Sequence, residues 1–109
     1  MDKITKTDFI IEGISSQIRK KPSPKLFNQV IGLKFKSLRL KNHRTAEAVV
    51  QDNKIYFKSI FDLYKFEKGI KVEASKLWCL SNYYSFDLPE FLNKVTTRKG
   101  TNDKRKTKI

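Results

Sequence analysis

The sequence predicts an α+β domain in which a small antiparallel or mixed sheet packs against two main helices, followed by a basic C-terminal tail. Three patterns lead to this prediction. Asp52 and Asn53 form a two-residue turn signal between apolar runs, which indicates a β-hairpin. Ser59, with Asp62 three residues later, is typical of a capped helix start. Leu33–Leu40 alternates apolar and basic residues, as a half-buried strand does.

Length and composition are those of one folded domain. The chain has 109 residues, of which 39% are hydrophobic and 12% aromatic, and this composition favours a folded protein. We assign the nucleic-acid-binding domain to residues 1–95 and the basic tail to residues 96–109. Twenty-four Lys and Arg residues oppose 11 Asp and Glu residues, so the net charge is +13. A field of this sign attracts phosphate backbones and anionic membranes.

The first third of the chain predicts a strand and a helix. Lys3–Glu12 is rich in Thr, Ile and Phe and predicts the first strand, whereas Ile14–Ile18 favours neither helix nor strand. Ser23 and Pro24 form a helix-start pair before apolar residues at helical spacing. Gly32 is expected to end this short helix, and the alternating strand follows it.

The central hairpin, with strands at Ala48–Val50 and Ile55–Phe57, is expected to lead into a helix. The apolar residues of Ile60–Lys68 give that helix a wide core face, and Gly69 stands where a left-handed residue ends a helix. Ile70–Ala74 fits a strand or an extended loop.

The last third predicts a second hairpin and a short helix. The hairpin joins Leu77–Leu80 to Tyr83–Leu88, and the helix spans Leu88–Val95 behind a cap at Asp87. The aromatic residues within 83–86 have two interpretations. They form a base-stacking platform, or they are core and rim residues of a sheet, which ordinary burial preferences favour.

Residues that carry enzyme or metal chemistry are scarce. Cys79 is the one cysteine, which excludes an internal disulfide and a cysteine-based metal site, and we expect it to be a small core residue beside Trp78. His43 has no second ligand near it and is expected to be a loop residue or a phosphate contact. With no Gly-rich phosphate loop, Cys/His pair or paired carboxylates, we predict a protein that is not an enzyme and uses no cofactor or small-molecule substrate.

No secretory signal and no membrane-length apolar run are visible, so we expect a cytoplasmic location and no membrane partner. The basic residues are therefore predicted to contact nucleic acid, since basic stripes are typical of phosphate binding. The predicted RNA-binding set is Arg19, Lys20, Lys21, Lys34, Lys36, Arg39, Lys41, Arg44, Lys65, Lys68, Lys71, Lys76, Arg98, Lys99, Lys104, Arg105, Lys106 and Lys108.

Nearly the whole folded part also carries a family resemblance. The segments KTDFIIEG, PKLFNQVI, LKFKSL, VVQDNKIYF, DLYKFEKGIKV, SKLWCLSN and YYSFDL follow one another in an order similar to the eukaryotic large-subunit ribosomal protein twenty-two family. That resemblance implies a small α/β protein that binds ribosomal RNA and neighbouring ribosomal proteins. It also implies that Lys65, Lys68, Lys71 and Lys76 belong to a basic segment facing RNA.

A second resemblance covers Asp52–Val95 alone. The segments DNKIYFKSIFDLYKF, SKLWCL and LPEFLNKV resemble the KilA-N type of viral DNA-binding domain, in which a short hairpin leads into two helices. This resemblance implies that Ser75–Ser81 is a helix and that the partner is DNA. A third hypothesis is a protein-interaction subunit with an acidic partner. A helix over Ser75–Leu80 favours DNA, and a strand paired with Tyr83–Leu88 favours the ribosomal interpretation.

Overall fold

The computed structural model describes residues 6–97, which form six α-helices. No β-strand is present within these residues, so the prediction of an α+β domain with a sheet is wrong. The helices are α1 (Lys6–Lys20), α2 (Pro24–Lys41), α3 (Ala46–Asp52), α4 (Ile60–Glu67), α5 (Ala74–Tyr83) and α6 (Leu88–Thr96).

Helices α1 and α2 form an antiparallel pair that α6 covers at one end. A short turn joins α1 to α2, and an ion pair between Lys41 and Asp8, 3.7 Å apart, connects their far ends. Arg19 of α1 donates a hydrogen bond to the carbonyl of Val95 in α6 at 3.0 Å. A small core of Ile11, Ile18, Val30 and Val95 lies between these three helices.

Helix α2 continues through the segment in which the alternating pattern predicted a strand. Ser23 caps it as predicted, because the Ser23 hydroxyl accepts the N–H of Leu26 at 3.3 Å. Gly32 does not end the helix. It lies where the backbone of α4 approaches α2, and a Cβ placed on Gly32 would come within 2.4 Å of the Glu67 carbonyl oxygen. Ile31 and Phe35, four residues apart, are buried in the same core on one side of α2, so the apolar residues follow a helical period.

The other predicted strands are helices or turns. The described part of Lys3–Glu12 belongs to α1, and the first arm of the central hairpin is α3. Thr45 caps α3 by accepting the N–H of Ala48 at 3.1 Å, and this bond gives the backbone a helix start instead of a strand. The second predicted hairpin is wrong because Ala74–Tyr83 is α5.

Three local predictions are confirmed. Ser59 caps α4 by accepting the N–H of Asp62 at 3.2 Å, and Asp87 caps α6 by accepting the N–H of Glu90 at 3.1 Å. Gly69 has a φ of +79° immediately after α4, and the N–H of Ile70 reaches back to the Lys65 carbonyl at 2.9 Å. This is the Schellman pattern that a left-handed glycine permits.

The main core lies between α2, α3, α4 and α5. Its largest fully buried side chains are Phe35, Phe57, Phe66, Leu63 and Leu80. The aromatic residues at 83–86 pack against this core, and the ring of Phe35 lies 5.5 Å from that of Phe86 and 6.4 Å from that of Tyr84. These residues are therefore packed against the core, but their interpretation as core and rim residues of a sheet is wrong in its second part, because residues 6–97 contain no sheet.

Candidate nucleic-acid interface

Arg39 lies inside the protein, where it joins α2 to α4. Its guanidinium donates to both carboxylate oxygens of Glu67, with N–O distances of 2.7 and 3.1 Å, and a third bond reaches the Arg44 carbonyl at 3.3 Å. The hydrogen bonds with Glu67 raise the pKa of Arg39 despite its burial. Arg39, from the predicted RNA-binding set, thus has an internal partner and little surface for a phosphate.

Lys76 is also buried, and it holds the two carboxylates nearest to it. Its Nζ lies 3.3 Å from an oxygen of Asp62 and 3.1 Å from an oxygen of Glu73, over the ring of Phe57. Burial alone would lower the pKa of Lys76, but the bonds with Glu73 and Asp62 outweigh it and the pKa is raised.

Asp62 is the acidic member of this group. Burial alone would raise its pKa, but the N–H of Lys58, which donates to Asp62 at 3.2 Å, and the ammonium of Lys76 hold the pKa below its ordinary value of 3.8. Asp62 is therefore ionised at neutral pH, and the charge of Lys76 compensates it.

Several further members of the predicted set have partners within the protein. Arg19 pairs with Glu12 at 2.9 Å in addition to its bond with α6. The remaining three lie near α2 and the turn after it: Lys34 over the rings of Phe86 and Phe91, Lys41 beside Asp8, and Arg44 over the ring of Tyr83 and 3.9 Å from Asp52. Burial, followed by the charge of Lys41, lowers the pKa of Lys34. The charged ends of these four side chains contact carboxylates or aromatic rings of the protein, and are therefore less available to a phosphate.

Exposed lysines without a carboxylate partner surround α4. Within residues 6–97, no carboxylate oxygen lies within 4.0 Å of any ammonium group in this set. These lysines are Lys36, Lys58, Lys65, Lys68 and Lys71. All of them except Lys58 belong to the predicted RNA-binding set. Lys20 and Lys21 are also exposed, at the connection between α1 and α2. The predicted contacts from Arg98 to Lys108 lie outside the described residues.

A groove of about 560 Å³ lies along one side of α4 and reaches the start of α5. We call it the α4–α5 groove. Three of the exposed lysines, Lys58, Lys65 and Lys71, line it, and its acidic residues are Asp62 and Glu73. Because Lys76 pairs with both carboxylates from the buried side, the exposed ammonium groups leave the groove positively charged.

Large apolar side chains stand at this groove in contact with solvent. Phe61 and Ile55 line it and are 75% and 84% exposed. Trp78 of α5 is 63% exposed, and its ring centroid lies 6.4 Å from that of Tyr56, which also lines the groove. The sequence analysis placed Phe61 on a core face. The helical spacing of α4 indicates that Phe61 is exposed, because Phe61 shares one face with Lys65 and Lys68. Leu63 and Phe66 share the buried face.

A second groove, of about 530 Å³, lies on the neighbouring side of α4. It is lined by Ile14 and Leu33 below and by Tyr64, Lys68 and Ile70 above, with Lys36 at its edge. Glu67 also reaches this groove, where Arg39 compensates its charge. Basic side chains thus line both grooves beside α4.

Residues 6–97 contain no group of three or more His, Cys, Asp or Glu side chains placed to hold a metal ion. None of the six helices has the length and apolar character needed to cross a membrane. His43 lies in the turn after α2, as predicted, with a φ of 54°.

Comparison with protein-family models, curated proteins and solved structures found no match to this chain. The resemblances to the ribosomal and KilA-N families therefore stay predictions from the residues quoted above. The helix over Ala74–Tyr83 agrees with the element that the KilA-N resemblance implies at that position.

Proposed function

We propose that this protein binds nucleic acid through the α4–α5 groove and catalyses no reaction. The observation that supports this proposal is the charge arrangement of the groove. Lys58, Lys65 and Lys71 have no carboxylate partner, and Lys76 alone pairs with both groove carboxylates, so four ammonium groups face two carboxylates and the groove keeps an excess of positive charge. An unbalanced cluster of exposed lysines attracts a polyanion, and it binds more tightly as it displaces the counterions of the phosphates.

The expected strength of the salt effect follows from the number of exposed groove lysines. If each of the three contacts one phosphate, affinity should fall about 30-fold between 50 and 200 mM salt, from a slope of roughly 0.7–0.9 per contact. Further basic residues would make the dependence steeper. A protein-interaction subunit with one acidic partner would instead bind nucleic acid without this slope.

DNA is the nucleic acid we place first. Helix α4, the connection containing left-handed Gly69, and helix α5 follow one another in the order that the KilA-N resemblance implies, and α6 supplies the last segment. The short hairpin that the resemblance places before them is a turn here. Ser75 and Trp78 are exposed on α5 at the edge of the groove. A DNA-binding regulator is thus our first form of the proposal.

Structural RNA binding, within the large ribosomal subunit, is the second form. The composition of residues 96–109 favours it, since this segment contains six Lys and Arg residues and one acidic residue. In this form the protein neutralises RNA phosphates in a ribonucleoprotein of the cytoplasm and reads shape more than base sequence.

Fluorescence anisotropy with labelled DNA and RNA of equal length tests the proposal. The groove variant replaces Lys58, Lys65 and Lys71 by Gln, and it should flatten the plot of log affinity against log salt by about 2–3 in slope. The matched control replaces Lys6, Lys25 and Lys94 by Gln, none of which belongs to the predicted RNA-binding set. It removes the same charge from exposed positions outside both grooves.

Equal losses in the two variants would show that net charge alone drives binding and would contradict a groove site. Absence of binding by the unmodified protein to either nucleic acid would overturn the proposal. Co-purification separates its two forms. DNase should release the native protein from DNA, whereas sedimentation with the large ribosomal subunit that is sensitive to RNase would select the second form.

A further inference from the structure

We propose that the aromatic rim of the α4–α5 groove stacks on unpaired bases, so that the ligand is a single-stranded nucleic acid. The rim consists of Tyr56, Phe61 and Trp78. This inference rests on the proposed function and adds the kind of nucleic acid that the groove binds.

Two of the three rim residues are exposed where a buried position would stabilise the fold more, and Tyr56 is half-buried. Phe61 is 75% exposed and Trp78 is 63% exposed. Single exposed apolar side chains are ordinary on protein surfaces, but several at one groove are typical of a binding surface. Here they stand beside three uncompensated lysines, which is the combination of π-faces and positive charge found in single-strand-binding grooves.

Hydrogen bonds hold the two walls of the rim together. Tyr56 lies in the turn after α3, and its N–H donates to the Asn53 carbonyl at 3.0 Å. The side chain of Asn53 donates to the Val49 carbonyl at 2.8 Å and accepts the thiol of Cys79 at 3.1 Å. Since Cys79 follows Trp78 in α5, these bonds fix the turn bearing Tyr56 against the helix bearing Trp78. The rim therefore needs little ordering before it binds.

The geometry favours an unpaired strand over a duplex. In a duplex the flat faces of the bases are covered by their neighbours, and the exposed edges offer little surface to Trp78 or Phe61. In a single strand, each base can stack on an aromatic ring while its phosphate lies near an ammonium group. Lys58 and Lys65 line the same groove as Phe61, so both kinds of contact are available to one strand.

Fluorescence provides the test, because Trp78 is the one tryptophan in the chain. The protein is titrated with a thymidine oligonucleotide, a uridine oligonucleotide and a DNA duplex of equal length, while labelled probes report binding by anisotropy. Stacking should quench Trp78 emission with the single strands and leave it nearly unchanged with the duplex. Trp78→Ala should weaken single-strand binding by about 5- to 100-fold. Trp78→Phe, which retains a π-face, should recover most of that loss.

The matched control is Phe9→Ala. Phe9 of α1 is 66% exposed, similar to Trp78, and lines neither groove. It should bind as the unmodified protein does. Circular dichroism confirms that each variant folds, which is expected at exposed positions.

Three outcomes would overturn the inference. Equal affinity for single strand and duplex with unchanged Trp78 emission would leave the proposed function standing and remove the stacking role. Equal effects of Trp78→Ala and Phe9→Ala would do the same. A concentration-dependent dimer in sedimentation that Trp78→Ala abolishes would assign the rim to a second copy of this chain. Absence of anisotropy change with every probe would instead contradict the proposed function itself.

Discussion

Gly32 is the position at which one added methyl group should disturb the fold most clearly. A Cβ there would lie 2.4 Å from the Glu67 carbonyl oxygen and 2.6 Å from that of Phe66, and both neighbours are main chain. Because main-chain atoms have no alternative rotamer, α2 and α4 must separate by about 1 Å to restore ordinary contact. Overpacking of this kind costs about 3 kcal/mol, and the better helix propensity of alanine offsets about 1 kcal/mol.

The net expectation for Gly32→Ala is a loss of about 2 kcal/mol in the free energy of unfolding, or about 8–16 °C in melting temperature. Gly13→Ala is the matched control. Gly13 lies within α1 and has no heavy atom within 4 Å of an added Cβ, so the same substitution should stabilise by about 0.5–1 kcal/mol. Urea unfolding followed by far-ultraviolet circular dichroism measures both. If Gly32→Ala proves as stable as the unmodified protein while Gly13→Ala gains stability, the close contact of α2 with α4 is refuted.

Three further predictions concern buried and titrating groups. Arg39→Met should lower the free energy of unfolding in urea by about 3–5 kcal/mol, because it leaves the Glu67 carboxylate buried without a partner. Adding Glu67→Leu should recover most of that free energy, and a double variant as unstable as the single one would contradict this reason. The pKa of Asp62 lies below 3.8 in the folded protein, so its ionised carboxylate stabilises the fold above about pH 4, and this stabilisation is lost as the pH falls through the folded pKa. Urea unfolding of Asp62→Asn between pH 5 and pH 2 should therefore show a smaller change in the free energy of unfolding with pH than the unmodified protein shows. Burial raises the pKa of the Cys79 thiol, so alkylation by iodoacetamide at pH 8, followed by mass spectrometry, should be slow in buffer and fast in urea, and equal rates would exclude a buried thiol.

Helix boundaries that depend on local chemistry could be predicted from the sequence. Ser23, Ser59 and Asp87 each bond a backbone N–H three residues later, and such a bond depends on its own segment. Gly69 ends α4 for an equally local reason, its positive φ.

The fold class could not be predicted because Leu33–Leu40 carries two periods at once. Alternation of apolar and basic residues suggests a strand, while Phe35 and Leu38 continue a helical face that begins at Ile31. The choice between them is made by α4, whose backbone packs at Gly32. That contact joins residues about 35 positions apart and leaves no local pattern.

In the candidate site, too, features that depend on nearby residues could be predicted, and features that depend on distant contacts could not. The ribosomal resemblance implies that Lys65, Lys68 and Lys71 face RNA, and all three are exposed. Arg39 and Lys76 were grouped with them, but their burial depends on carboxylates 28 and 14 residues away in the sequence. The exposure of Trp78 depends on which face of helix α5 it occupies, and a prediction of a hairpin over this segment gives no information about that face.

The two glycine contacts at the end of α4 also bear on how freely its surface moves. Gly32 meets the last carbonyls of α4, and a Cβ on Gly69 would lie 2.8 Å from the backbone of Asn28 and Gln29, so main chain rests on main chain at two places between this helix end and α2. Such a joint has no side-chain rotamers through which it can relax. Thermal motion at this surface should therefore reside in the flexible lysine side chains, while the helix beneath them stays fixed. The conformational entropy lost on binding is then limited to those side chains, and the protein can hold a strand without first ordering its own backbone.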